Sequence, residues 1–135
     1  EEGKKVSRLT KIIDNKKIYV ATLREGIKAF DLDSTKLIWN YSLNTDNVNP
    51  RIWSGFSYDK ITNSLFIVTS NPGGLYGGNR ASEDLSVSLI SIDSKTGKKN
   101  WSFQHIRHDL WDFDLVGNPI VFSRKNNNDI SERVV

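Results

Sequence analysis

Asp31-Leu32-Asp33-Ser34-Thr35-Lys36-Leu37-Ile38-Trp39 is matched 62 residues later by Asp93-Ser94-Lys95-Thr96-Gly97-Lys98-Lys99-Asn100-Trp101. In each copy an Asp closes a short β-branched or apolar run, Ile27-Lys28-Ala29-Phe30 in one and Ser88-Leu89-Ile90-Ser91-Ile92 in the other. Small and polar turn residues follow, and a Trp arrives eight residues after the Asp. Strand, tight turn and strand is the reading, with the Trp on the returning strand.

The duplication extends upstream. Asp14 to Lys17 leads into Ile18-Tyr19-Val20-Ala21-Thr22, and Asp59 to Ser64 leads into Leu65-Phe66-Ile67-Val68-Thr69. Thr22 to Asp31 spans nine residues and Thr69 to Asp93 spans 24, so the second copy carries about 15 extra residues near 71–85. No amphipathic helix longer than a turn or two stands out. Short strands with a regular Trp and a period of tens of residues indicate a radial repeat. The expectation is an all-β fold, a partial β-propeller of about two four-stranded blades in an incomplete ring. Strands are expected at 17–22, 26–31, 37–42, 52–57, 64–69, 87–93, 99–104 and 118–123. Residues 1–45 then end one blade, 46–106 form a complete blade with the insert 71–85, and 107–135 carry a loop and begin the next. Such a piece leaves open sheet edges. With no initiator Met before Glu1, it reads as part of a larger propeller.

Composition narrows the class. At 26% charged and 37% hydrophobic, the 135 residues are globular rather than disordered. No apolar run approaches the ~18 residues of a membrane helix. The absence of Cys removes disulfides and thiolate metal sites. A net charge of +3 from scattered lysines describes a solvated surface, not a nucleic-acid stripe.

One segment exceeds what a bare repeat needs. His108-Asp109-Leu110-Trp111-Asp112-Phe113-Asp114 packs three carboxylates, a His and two large aromatics into seven residues. Acids held among rings are partly desolvated, the usual setting of a general base or a metal site. The connection between two blades, where this segment falls, is also where propeller loops converge on the axis. His105 and His108 have the spacing of a metal pair, but no further ligand pattern joins them. The sequons at Asn40 and Asn100 lie in expected strands and are read as chance.

Trp53, Tyr58-Asp59, Asn71-Pro72, Tyr76-Gly77-Gly78-Asn79-Arg80, the Asp93–Trp101 repeat and His108 to Asp114 occur in that order. This series resembles the pyrroloquinoline-quinone (PQQ) dehydrogenases, most of all the membrane glucose and polyol branch, and covers about half the chain, from Trp53 to Phe122. The resemblance implies an enzyme that oxidises a sugar, polyol or alcohol hydroxyl and passes electrons to a quinone or other acceptor. It implies PQQ and a divalent cation (calcium or magnesium, with a lanthanide as an alternative). It also implies a periplasmic location, with any membrane anchor outside these residues.

The resemblance assigns roles by position. Trp53 matches the indole that lies flat against the quinone; it departs from the repeat position that Trp39 and Trp101 occupy as packing residues. Asn71 matches the amide that offers oxygen to the cation, although a turn Asn before Pro72 is common anywhere. Asp112 matches the base that takes the alcohol proton, and with Asn71 and Asp114 belongs to the implied metal site. If the chain is extended there, Asp112 and Asp114 point the same way. Arg80 in its glycine-rich loop is a candidate for anionic groups of the cofactor, or else part of a surface turn. Asp109 is expected to cap backbone amides. The family's metal-binding glutamate and the basic residue at the quinone carbonyl have no match here, so the isolated segment should not hold PQQ alone. The alternatives are a non-catalytic propeller scaffold for protein interaction and an inactive truncated fragment. The trio of Trp53, Asn71 and Asp112 separates the first reading from both.

Overall fold

A computed structural model describes residues 10–43, 50–71, 85–107, 109, 111–125 and 131–135. These residues form strands and turns, with no helix among them. The first antiparallel sheet contains β1 (Thr10–Asp14), β2 (Lys17–Thr22), β3 (Gly26–Asp31) and β4 (Leu37–Tyr41), in chain order. The second repeats that order with β5 (Phe56–Asp59), β6 (Ser64–Val68), β7 (Ser88–Asp93) and β8 (Lys99–Gln104). A final hairpin pairs β9 (Phe122–Lys125) with β10 (Ser131–Val134).

Sequence duplication is reproduced in backbone detail. A register shift falls between Ala29 and Phe30 in the first sheet and between Ser91 and Ile92 in the second. Asp31 Oδ1 accepts from the Ser34 amide and hydroxyl, each at 2.7 Å. Asp93 Oδ1 accepts from the amide and hydroxyl of Thr96 at 2.7 and 2.8 Å. Each carboxylate thus closes its own turn, which is why an Asp ends each strand. Left-handed backbone follows at Thr35 (φ 57°) and Gly97 (φ 73°).

The two sheets bury one core between them, built from Tyr19, Ala21, Ile27, Ala29 and Trp39 on one side and Phe56, Leu65, Ile67, Ile90 and Ile92 on the other. β6 is buried along its whole length: Leu65 and Ile67 face this core, and Phe66 meets Trp101 with ring centroids 5.9 Å apart. Trp39 locks the sheets together. Its Nε1 donates to Ser94 O at 3.1 Å, and its ring covers Gly97. Its repeat mate Trp101 is 43% exposed against 8% for Trp39.

The structure departs from the expected strands in four places. β1 adds a strand to the first sheet that the alternation of Thr10–Asp14 does not advertise. β10 is a further addition. The strand expected at 52–57 begins only at Phe56, because the preceding backbone is engaged elsewhere. Ile52 N donates to Leu23 O at 3.1 Å, and Arg51 O accepts from Ser70 N at 2.8 Å. The strand expected at 118–123 begins at Phe122. Pro119 has no N–H for a ladder, and its carbonyl accepts the Ser57 hydroxyl instead.

Candidate functional site

Asn71 sits just beyond the end of β6, buried. Its position is set by Ser70, whose amide donates to Arg51 O and whose hydroxyl accepts from Arg51 N at 2.9 Å. The Ser70 hydroxyl also donates to Asn71 O at 2.7 Å. This crosslink ties the end of β6 to residues 51–55, the stretch that carries Trp53 with its indole 42% exposed.

The loop after β8 returns to the same place. Asn71 Nδ2 donates to Asp112 Oδ1, across 41 residues of sequence. Asn71 N donates to Asp114 Oδ1 at 2.9 Å. Asp112, Asp114 and Asn71 are therefore brought together, as the sequence led one to expect, but by a different route. The segment is not extended: Asp112 takes a left-handed φ of 65°, and Asp114 N reaches back to Asp112 O at 3.1 Å. The carboxylates converge because both find donors on Asn71, not because they alternate along a strand.

Asp109 caps backbone amides, as expected. Its Oδ1 accepts from Trp111 N at 2.9 Å and its Oδ2 from Phe113 N at 2.7 Å. Burial pushes the Asp114 carboxyl above its ordinary value; the Asn71 amide opposes this, the negative charges of Asp112 and Asp109 add to it, and Arg51 lowers it. Farther along, Asn118 Oδ1 accepts from Gly55 N at 2.7 Å, so the loop also holds the backbone beside Trp53. Arg51 and Asn118 escaped the sequence reading. The signals available were a base two residues before Trp53 and the Asn-Pro turn pair.

Arg80 and the rest of its glycine-rich loop lie outside the described residues, as does His108, so the His105–His108 pair is not described either. Among the described residues no group of three or more His, Cys, Asp or Glu is placed to hold a metal. What converges is an amide whose Nδ2 faces Asp112, with two carboxylates whose oxygens suit a hard divalent cation. Three clustered aspartates facing Arg51 leave an excess of negative charge that such a cation would offset. The exposed Trp53 indole suits a planar cofactor. A separate cleft of about 370 Å³ is lined by Val68, Leu89, Phe103 and His105 with Leu115, Gly117, Asn118 and Pro119 of the same loop. It includes none of Trp53, Asn71, Asp112 or Asp114, so it is not the candidate site.

Residues 10–135 match the family described as "PQQ: Glucose/ethanol/alcohol dehydrogenase, beta-propeller domain". The chain belongs to this PQQ-dependent dehydrogenase family. Quinate/shikimate dehydrogenase (quinone) of Acinetobacter baylyi is 33% identical over 109 residues, covering 69% of this chain and 14% of that protein. Quinoprotein glucose dehydrogenase of Escherichia coli K12 is 28% identical over 110 residues, again 69% and 14%. The chain thus spans about 14% of the length of these curated relatives. A solved quinohemoprotein alcohol dehydrogenase from Comamonas testosteroni superposes on 98% of this chain and 26% of its own, with a TM-score of 0.72 at 18% identity. That likeness establishes the propeller fold of this PQQ dehydrogenase segment.

Proposed function

We propose that this segment supplies the catalytic base, part of the cation site and the cofactor's stacking surface in an enzyme that oxidises a hydroxyl of a sugar, polyol or alcohol. The observation that carries the reading is the state of Asp112. One of its oxygens is tethered by the Asn71 amide, and its Oδ2 has no partner among the described residues. A tethered, exposed carboxylate with one open oxygen is fit to take a proton from a bound hydroxyl.

Asp112 accepts the hydroxyl proton at Oδ2 while Asn71 fixes the direction of the carboxylate. Asn71, Asp112 and Asp114 offer oxygens to a divalent cation, calcium or magnesium in the first instance. Trp53 offers an indole face to PQQ, and Arg80 is assigned to its anionic groups. When bound, PQQ supplies the hydride acceptor and the cation a Lewis acid. Quinate, shikimate and glucose, named in the relatives, are polyhydroxylated, which favours a polyol or sugar over a simple alcohol here. The word quinone in the Acinetobacter name supports a quinone as the electron acceptor. We place the reaction on the periplasmic side, with any membrane attachment through other parts of the protein.

The test uses the intact protein reconstituted with PQQ and calcium, with dye reduction followed on glucose, quinate, polyols and simple alcohols. Asp112→Asn is expected to abolish turnover while PQQ binding, followed by absorbance, persists. Undiminished turnover in that variant removes Asp112 as the base.

A further inference from the structure

We infer that Asp109 is a positioning residue for Asp112, a role that rests on the assignment of Asp112 as the base. Asp109 is 4% exposed, whereas Trp111, Asp112 and Phe113 just after it lie at the surface. Its two carboxylate oxygens accept the amides of Trp111 and Phe113, the residues on either side of Asp112. Asp112 itself holds a left-handed φ of 65°, a conformation that Asp enters more readily than most side-chain-bearing residues but that local hydrogen bonds hold in place.

Asp109 provides those bonds. With the amides before and after Asp112 both bound to one buried carboxylate, the torsions between them have little room. The rings of Trp111 and Phe113 lie largely in solvent, so they offer little packing that would do the same. The left-handed turn is what lets Asp112 Oδ1 meet Asn71 Nδ2 while Asp114, two residues on, also reaches the Asn71 amide. Asp109 therefore acts on the reaction through the aim of Asp112, without touching substrate.

The chemistry of the side chain makes the inference selective. Both oxygens must accept, which a carboxylate does and a carboxamide does not. Asn at 109 keeps one acceptor and turns an N–H donor toward a backbone N–H. Ala loses both bonds. Glu keeps two acceptors on a longer arm.

The experiment uses the intact protein reconstituted with PQQ and calcium. Asp109→Ala is expected to lower kcat by roughly 10²-fold, the scale of a small misplacement of a reacting group. KM should stay within about threefold, since a residue that only aims the base adds little ground-state binding. Asp109→Asn should fall between wild type and Ala, and Asp109→Glu should recover part of the loss. Independently of turnover, hydrogen exchange at the Trp111 and Phe113 amides should accelerate by about tenfold or more in Asp109→Asn, with β5–β8 amides unchanged. If the Ala variant does not fold, Asn and Glu carry the test. Full kcat in Asp109→Asn alongside an inactive Asp112→Asn overturns the inference and leaves the base in place. Unchanged exchange at both amides overturns it as well. Full turnover in Asp112→Asn removes the base assignment and this inference with it.

Discussion

Gly97→Ala tests the joint between the two sheets. A Cβ at Gly97 would lie 2.6 Å from Trp39 Cδ2, 2.7 Å from Cε3 and 2.9 Å from Cγ, on a backbone at φ 73°. Three costs arise. An L-residue in the left-handed region costs about 1–2 kcal/mol. Forcing the indole aside costs about 1–3 kcal/mol in packing, and losing its bond to Ser94 O costs about 1 kcal/mol more. The expected total is about 3–6 kcal/mol, a large part of a typical stability of about 5–15 kcal/mol. Urea unfolding of the intact protein, followed by tryptophan fluorescence, reads it as a lower midpoint. A red shift of native emission should accompany it as Trp39 becomes wet. A double-mutant cycle separates the backbone cost from the two that involve the indole. In a Trp39→Phe background the smaller ring leaves space, so Gly97→Ala should retain only the backbone part, about 1–2 kcal/mol. An equal cost in both backgrounds, or a wild-type cost below about 1 kcal/mol, would refute the steric reasoning.

Two further outcomes are expected. Arg133 holds the buried Asp59 carboxyl below its ordinary value through hydrogen bonds of 2.7 and 3.0 Å, so this pair stabilises the fold above the unfolded value near 3.8 and its contribution is lost as pH falls through the lower folded value. Arg133→Met should therefore lower the urea midpoint at about pH 7 and leave a much smaller deficit under strongly acidic conditions; equal deficits would argue against the linkage. Asn71→Ala removes the tether on Asp112, and calcium or terbium titration of the protein freed of metal should show affinity weakened by about tenfold or more, with unaltered affinity counting against Asn71 as part of the cation site.

The fold was legible because each repeat carries its own instructions. Asp31 and Asp93 close their turns with local bonds, and Trp39 and Trp101 stand at the same register beyond a bulge. β1 was not legible, since Thr10–Asp14 alternates weakly and gains its pairing from β2. The strand start at Phe56 was hidden for a related reason: Arg51 and Ile52 look strand-like but spend their hydrogen bonds on Ser70 and Leu23, distant in sequence. At the site, residue types and order pointed to Asn71, Asp112 and Asp114. The left-handed turn at Asp112 was not visible, because nothing in Trp111-Asp112-Phe113 demands it locally. It comes from Asp109 and Asn71, and only the folded chain shows which partners those side chains choose.

The loop from Asp109 to Pro119 makes its holding contacts across 41, 43, 62 and 63 residues, at Asn71, Ser57 and Gly55. The hairpins of the second sheet close over far shorter distances. Loop-closure entropy delays long-range contacts relative to such hairpins. The sheets thus gain their shape first, and the site is among the last features to be assembled. If the site also opens first on heating or in denaturant, loss of a bound cofactor is expected to precede loss of the sheets. Protease cleavage between Asp109 and Pro119 would then report the clock of site assembly separately from that of the fold.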